Sequence, residues 1–363
     1  MRTRTLHLVA ALVAGLLAVP LAACGGDGEA GEAGEDSFTV GLLLPNRVTP
    51  RWEQADKPLI EQHLRQLCPD CTMAYANAEN DAARQREQMI SMITKGIKVL
   101  ILDPADSKAL RSPIREARRA GVPVVAYDRL AEGPISGFVS FDGDQVGKLQ
   151  GEAILKAMRE RANGRTVVMM NGDPSSANAA WFRKGALSVI ADKAKIARSY
   201  DTVGWSTENA NANMTAAIAA LGADRISGVV AANDAIAAGV VSAFKKAGVR
   251  KPPPITGQDA DLEAVRRIVA GEQYMTVYKP FEKEAAAAAA MAVALGKGEG
   301  ADEVSTTTTD SPTHEDIPSI LLTPRAVTAD NLKQTLVDGG LYTTQQICTP
   351  RLRSACATLG LTG

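Results

Sequence analysis

The chain has 363 residues, which is too long for one ordinary hydrophobic core and suits two domains. Lysine and arginine number 40 against 41 aspartate and glutamate residues, and no basic run or basic-aromatic interleaving occurs. This composition excludes the basic surface that nucleic-acid binding requires.

The first 23 residues have the layout of a bacterial export signal. Arg2 and Arg4 precede an uncharged apolar run over 8–20, and small residues then lead into Cys24. An uncleaved membrane anchor is the alternative, but a span needs about 20 apolar residues. We therefore predict a signal peptide over 1–23, lipidation of Cys24 and an extracytoplasmic protein anchored to the cell membrane.

Residues 24–36 consist, after the cysteine, of glycine, alanine and acidic residues, which predicts a flexible tether.

From Phe38 onward, short apolar strands alternate with amphipathic helical patterns. The predicted strands are 38–44, 72–77, 98–102, 122–127, 165–170, 228–232, 254–257 and 274–278. The clearest predicted helices are 52–67, 81–95, 106–120, 144–161 and 234–247. This alternation predicts parallel sheets that are covered by helices on both faces.

Polar side chains follow six of these strands directly. They are Asp103, Asp128-Arg129, Asn171, Asn233-Asp234, Gln258-Asp259 and Lys279. Ligands of open α/β sheets bind outside the carboxyl ends of the strands. Each residue on its own has an alternative explanation. Asp234, for example, also fits a helix cap, as does Asp106 shortly after Asp103. The set as a whole predicts a binding cleft.

Four cysteines remain if Cys24 carries lipid, and they form two local pairs. An even number outside the cytoplasm favours disulfides between Cys68 and Cys71 and between Cys348 and Cys356. The first pair also matches the C-x-x-C motif of thiol oxidoreductases, or half of a zinc site. Both alternatives are weaker, because the motif ends a predicted helix and no second C-x-x-C follows.

Arg51-Trp52 opens the first helix, GVPVVAYDR contains Asp128-Arg129, and FVSFDGDQVGKLQGEA follows it. These segments resemble the type I periplasmic sugar-binding proteins of ABC importers, and the last of them resembles the first crossover between the lobes of that family. GDPSSANAAWFRKG, GWSTENA, AANDAIAAG, GQDADLEAVRRIVAGEQYMTVYKP and IPSILLTP extend the resemblance. It covers roughly residues 38–345, and TGQDAD followed by MTVYKP is its most specific part.

The resemblance implies an α/β fold of the type I periplasmic binding proteins. Two similar Rossmann-like lobes, each a parallel sheet covered by helices, are joined by a hinge of three crossovers. On this basis we expect an N-terminal lobe over 37–141 plus 280–307 and a C-terminal lobe over 142–279 plus 308–345. Residues 346–363 form a tail beyond the resemblance.

The resemblance also implies which residues bind the sugar. These are Arg51, Trp52, Asp128 and Arg129 from the first lobe and Asn178, Trp205, Asn233, Asp259 and Lys279 from the second. Such polar side chains pair with sugar hydroxyls, which both donate and accept hydrogen bonds. Indole faces suit the C–H faces of a sugar, although ordinary packing is the alternative for both tryptophans. For the third tryptophan, Trp181, we predict packing in the core rather than contact with the sugar.

Two positions depart from the pattern, since Ser176 and Pro45-Asn46 stand where we expect acids. We therefore expect a monosaccharide ligand, with D-xylose as first choice and another pentose or a hexose as alternatives. The protein would be a monomer that delivers this ligand to an ABC permease. A sensor that presents the sugar to a membrane signalling receptor is the alternative role. We expect no enzymatic activity, metal or cofactor, since three histidines offer no catalytic or zinc constellation.

Overall fold

The computed structural model describes residues 37–159 and 165–361. The predicted signal peptide, Cys24 and the tether lie outside the described residues. Among the described residues the strands are β1 Thr39–Leu44, β2 Thr72–Asn77, β3 Val99–Leu102, β4 Val124–Tyr127, β5 Gly137–Phe141, β6 Thr166–Asn171, β7 Lys195–Asp201, β8 Gly228–Ala231, β9 Met275–Tyr278, β10 Thr307–Ser311, β11 His314–Leu322 and β12 Arg325–Thr328.

The helices alternate with these strands over most of the chain. In the described part they are α1 Lys57–Leu67, α2 Ala82–Thr94, α3 Arg111–Arg119, α4 Gly143–Arg159, α5 Ala177–Ile190, α6 Thr207–Leu221, α7 Asp234–Lys246, α8 Leu262–Val269, α9 Phe281–Gly296, α10 Thr344–Ile347 and α11 Arg353–Thr358. A π-helical turn, Trp52–Asp56, leads directly into α1, and a second one spans Lys333–Val337. No helix in the described ranges is long and apolar enough to cross a membrane.

The first lobe is built on a seven-stranded sheet with the order β10-β11-β5-β4-β3-β1-β2. Its strands are parallel except for β10, which runs antiparallel to β11. Neighbouring residues of β1 enter different cores, Leu42 on one face and Leu43 on the other. Both faces are therefore covered, as the nearly uninterrupted apolar strands predicted.

The second lobe contains β7, β6 and β8 in parallel and the antiparallel pair β9 and β12. Residues 254–257 join the two groups. Val229 N donates to Pro254 O at 2.9 Å, and Tyr274 N donates to Ile255 O at 2.9 Å. The predicted strand 254–257 therefore completes a second sheet, and the expected architecture of two α/β lobes is confirmed.

One predicted boundary between the lobes is wrong. We placed 308–345 in the second lobe, but β10 and β11 extend the first sheet, where Ser319 pairs with Phe138 and Leu322 with Phe141. The third crossover therefore lies between β11 and β12. The threonine-rich β10 is largely exposed at the sheet edge, so it lacks the apolar pattern that identified the other strands.

Helices α4 and α5 pack so closely that glycine is required at their contact. A Cβ at Gly147 would lie 2.0 Å from Phe182 O, and one at Gly185 would lie 2.1 Å from Asp144 O. This contact fixes α5, whose first turn carries Asn178. Both cysteine pairs form disulfides, Cys68–Cys71 between α1 and β2 and Cys348–Cys356 between α10 and α11.

Candidate functional site

The two lobes line a small cavity at the carboxyl ends of their strands. Its wall consists of polar and aromatic side chains from both lobes: Thr49, Trp52, Asp128, Arg129, Asn178, Phe182, Trp205, Asn233, Gln258, Asp259 and Lys279. Every sugar-binding residue expected from the sequence lies in this wall except Arg51. The fold thus collects at one place side chains that are far apart along the chain.

Thr49, Phe182 and Gln258 line the cavity although the sequence did not single them out as ligands. Gln258 directly follows a predicted strand, so its position in the sequence already indicated that it lies at the binding cleft. Phe182 lies one helical turn after Asn178 in α5, which places both on the same face. Thr49 lies in the loop after β1, where its amide donates to Asn46 Oδ1 at 3.2 Å. Asn46 thus shapes the loop, and nothing in the local sequence distinguishes Thr49.

Asp128 is held as a carboxylate by two cations. Its Oδ2 accepts hydrogen bonds from Lys279 Nζ and Arg51 Nη1, both at 2.9 Å. Burial alone would raise its pKa, but the Lys279 and Arg51 charges outweigh burial and lower the pKa of Asp128 to about 2. Its Oδ1 also accepts from Asn178 Nδ2 of the other lobe at 3.3 Å. Asp128 is therefore an ionised acceptor at neutral pH.

Lys279 links Asp128 to Asp259 across the cavity. Its Nζ lies 2.9 Å from Asp128 Oδ2 and 3.1 Å from Asp259 Oδ1. Burial and the nearby Arg51 disfavour its charge, yet Asp128 and Asp259 raise the pKa of Lys279 above its usual value. Apart from this ion pair with Lys279, Asp259 Oδ1 accepts no hydrogen bond within the described part of the chain. This oxygen is consequently an acceptor that a ligand hydroxyl can use.

The guanidinium of Arg129 lies between the two cavity tryptophans. Its Cζ is 5.7 Å from the ring centroid of Trp52 and 5.8 Å from that of Trp205. Arg129 Nη1 donates to Pro104 O at 3.2 Å, which fixes the head group. The indoles come from opposite lobes, so two aromatic rings and one cation occupy the same space.

Trp205 is held on two sides of its ring. Its Nε1 donates to Ser176 Oγ at 3.1 Å, and a Cβ at Gly172 would lie 2.1 Å from the indole. Ser176, which replaces an expected acid, thus anchors a cavity residue. Trp181 packs against Phe138 with 6.2 Å between ring centroids, in agreement with its interpretation as a packing residue.

The helix-cap alternatives apply to some of the polar residues after the strands. Asn233 Oδ1 accepts from Ile236 N at 3.0 Å and caps α7, while the residue also lines the cavity. Asp106 accepts from two amides of the following turn. Asp234 does not cap α7. Its carboxylate instead accepts from Gln273 Nε2 at 2.8 Å and from other groups near Asp259.

Three cavity residues have left-handed backbone conformations that are uncommon outside glycine. The φ angles are 55° at Asp128, 55° at Trp205 and 96° at Asp259. Such conformations cost on the order of 1–3 kcal/mol each and cluster at functional sites, where the surroundings enforce them. At Asp128 the enforcement includes a hydrogen bond from its amide to Val139 O at 2.9 Å.

Arg51 lies behind the cavity wall. Its Nε and Nη2 donate to Asp56 at 2.9 and 2.5 Å, and Nη2 also donates to Glu284 at 2.6 Å. The remaining donor, Nη1, is bonded to Asp128. Burial raises the pKa of Glu284 well above its usual value in spite of the Arg51 charge. We therefore interpret Arg51 as a positioning residue for Asp128 rather than a direct ligand.

Several buried polar atoms around the cavity have no hydrogen-bond partner among the described residues. They are Trp52 Nε1, Arg129 Nε, Asn178 Oδ1, Gln258 Oε1 and Asp259 Oδ1. Asp259 Oδ1 is in an ion pair with Lys279, and Arg129 Nε lies 3.5 Å from Asp103 Oδ1, whereas a buried atom left without any partner costs about 1–3 kcal/mol. The set contains both donors and acceptors, and a ligand that carries several hydroxyl groups can satisfy both kinds.

A model of the periplasmic binding protein domain matches residues 40–300. A D-xylose-binding periplasmic protein of Escherichia coli (strain K12) is 33% identical over 309 residues, which cover 84% of this chain and 90% of that protein. A multiple sugar-binding periplasmic receptor of Rhizobium radiobacter is 31% identical over 332 residues, which cover 86% of this chain and 93% of that receptor. A solved ABC transporter solute-binding protein of Clostridium phytofermentans with bound β-D-glucose is 31% identical, with a TM-score of 0.76 over 85% of this chain and 99% of that one.

Proposed function

Because the chain belongs to the family of type I periplasmic sugar-binding proteins, we propose that it captures a monosaccharide between its lobes and delivers it to an ABC permease. The matched relatives are sugar-binding proteins rather than enzymes, and the expectation of a non-enzymatic protein is confirmed. The family works outside the cytoplasm, in agreement with the predicted export.

The observation that carries the proposal is the composition of the enclosed cavity. Carboxylates, amides and cations with open hydrogen-bonding positions lie beside two indoles from opposite lobes. Hydroxyl groups that donate and accept suit the polar part, and the apolar C–H face of a pyranose suits the indoles. The carboxylates and cations are largely paired with each other, which favours a neutral ligand over a charged one.

Among neutral monosaccharides, D-xylose is our first choice. Two matched relatives are named as D-xylose-binding proteins, while a solved relative contains β-D-glucose. The two sugars differ by one hydroxymethyl group, and apolar pockets reject such an addition only modestly. Glucose, arabinose, ribose and galactose are therefore the competing ligands.

We expect a sugar panel in a thermal-unfolding assay to identify the ligand. A sugar present at about 100 times its Kd should stabilise the native state by about 2.7 kcal/mol and raise Tm by several degrees. D-Xylose is expected to give the largest rise. Lactose is the control, because a disaccharide carries a second sugar ring that a small cavity walled by both lobes does not accommodate. Unchanged Tm values with every monosaccharide would contradict the proposed function.

We further propose that lipid on Cys24 tethers the protein beside its permease. In a deletion strain, the wild-type gene should restore D-xylose uptake and place the protein in the membrane fraction. The Cys24→Ser variant should appear in the soluble fraction, whereas Ser37→Ala, just beyond the tether, should behave as wild type. Wild-type protein in the soluble fraction would contradict the anchor. Uptake that persists without the gene would instead favour the sensor role.

A further inference from the structure

Asp259 lies in a turn, residues 258–261, whose backbone conformation needs external support. Asp259 and Ala260 have consecutive φ angles of 96° and 53°, although neither is glycine. Both are buried, at 4% and 0% exposure. Two adjacent left-handed residues persist only where surrounding contacts enforce them. The contacts of this turn therefore determine the direction in which the Asp259 carboxylate points.

Three amides of the turn region are held by groups of the second lobe. Asp259 N donates to Val277 O at 2.9 Å, and Ala260 N donates to Thr276 Oγ1 at 3.1 Å. Asp261 N donates to Asp234 Oδ2 at 3.0 Å, and the same oxygen accepts from Thr276 Oγ1 at 2.9 Å. The inner side of the turn is thus fixed by the sheet and by Asp234.

The outer side of the turn is held by the C-terminal segment 336–361. Tyr342 Oη donates to Ala260 O at 3.1 Å. This carbonyl belongs to the second of the two strained residues, so the segment bonds directly to the strained backbone. The Ala260 side chain is buried in the same apolar cluster as Leu336, Ile347 and Cys356. The segment thus donates a hydrogen bond to the Ala260 carbonyl and belongs to the apolar cluster that buries the Ala260 side chain.

The C-terminal segment is itself fixed to the second lobe. Cys348 and Cys356 form a disulfide, and Arg266 Nε of α8 donates to Gln346 O at 3.1 Å. Burial, and secondarily the Asp261 and Asp234 charges, raise the pKa of Tyr342, so its phenol stays a neutral donor. The matched family domain ends at residue 300, so the segment lies beyond it.

We propose that Tyr342 is a positioning residue of the sugar site, and that segment 336–361 acts through it as a clamp on the Asp259 turn. The bond to Ala260 O maintains the left-handed backbone and thereby aims the Asp259 carboxylate into the cavity. The inference rests on the proposed function, because Asp259 has to be a sugar ligand for the clamp to affect binding.

The test is the Tyr342→Phe variant, which loses only the hydroxyl. We expect calorimetric titration with D-xylose to show affinity weakened about five- to tenfold, which corresponds to the loss of one buried hydrogen bond. Tyr200→Phe is the control, because Tyr200 lies on β7 of the same lobe, away from the cavity wall. Unchanged affinity in Tyr342→Phe would overturn the proposal.

Two further readouts separate positioning from general stabilisation. In an Asp259→Asn background the Tyr342→Phe effect on affinity should shrink, since both changes act on the same contact; full additivity would contradict the proposal. Amide hydrogen exchange at 260–261 should accelerate in Tyr342→Phe and stay unchanged in Tyr200→Phe. This exchange needs no ligand. Absence of sugar binding by the wild type would therefore refute the proposed function, while exchange still decides whether Tyr342 holds the turn.

Discussion

Replacing Asp259 by alanine is expected to weaken monosaccharide binding by at least about 100-fold, which corresponds to about 3 kcal/mol. The carboxylate is buried, and apart from its ion pair with Lys279 its Oδ1 accepts no hydrogen bond in the described residues. A hydrogen bond from a sugar hydroxyl to this charged acceptor would be lost in the variant. Lys279, which lies 3.1 Å from Oδ1, would also lose one of its two carboxylate partners.

Arg129→Ala is expected to have an effect of similar size from the other lobe. Its guanidinium lies over both cavity indoles, and its Nε has no hydrogen-bond partner among residues 37–159 and 165–361. Removal leaves a space between Trp52 and Trp205 that water can fill. Isothermal titration with the sugar chosen by the panel measures both losses.

The controls are surface residues of the same types. Asp192 and Arg118 are exposed and remote from the cavity wall, so their alanine variants should retain wild-type Kd. Asp259→Asn keeps the shape and one oxygen acceptor, and it should bind with an affinity between those of wild type and Asp259→Ala. Wild-type affinity in both Asp259→Ala and Arg129→Ala would show that the assignment of the site is wrong.

The position of the site was predictable because parallel strands end at a common edge. Asp128, Asn233, Asp259 and Lys279 each follow a strand that the apolar pattern identifies. Sheet geometry brings the last three together in the second lobe, and the first lobe contributes Asp128 from the strand ends of its own sheet. The two tryptophans required the family resemblance in addition. Nothing in the local pattern separates Trp205, which lines the cavity, from Trp181, which packs against Phe138.

Features that depend on long-range contacts were not predictable. β10 is a polar edge strand, and its pairing with β11 becomes visible only when the first sheet is assembled. The left-handed turn at Asp259 and Ala260 accepts a hydrogen bond from Tyr342, which lies 82 positions beyond Ala260. The role of Arg51 likewise depends on Glu284, which is 233 positions away. Periodicity and strand-end rules contain no information about such pairings.

Arg51→Met is expected to lower the free energy of unfolding by about 3–5 kcal/mol, the usual cost of removing one partner from a buried ion pair. The guanidinium is 1% exposed and donates to Asp56, Asp128 and Glu284. Methionine replaces most of its volume but none of its charge, so the buried carboxylates lose their shared cation. Denaturant unfolding without ligand measures the effect, and Tm should fall by on the order of 10 °C.

Arg65→Met is the matched control for this prediction. Arg65 pairs with Glu61 at 2.8 Å, but the two side chains are 60% and 44% exposed. Such surface pairs contribute about 0–1 kcal/mol, so stability should hardly change. Glu284→Gln should reduce stability less in the Arg51→Met background than in the wild type, because the Arg51 cation with which Glu284 pairs is already absent there. A loss of under about 1 kcal/mol in Arg51→Met would contradict the stabilising role of this buried cation, since the carboxylates would then be stable without the arginine.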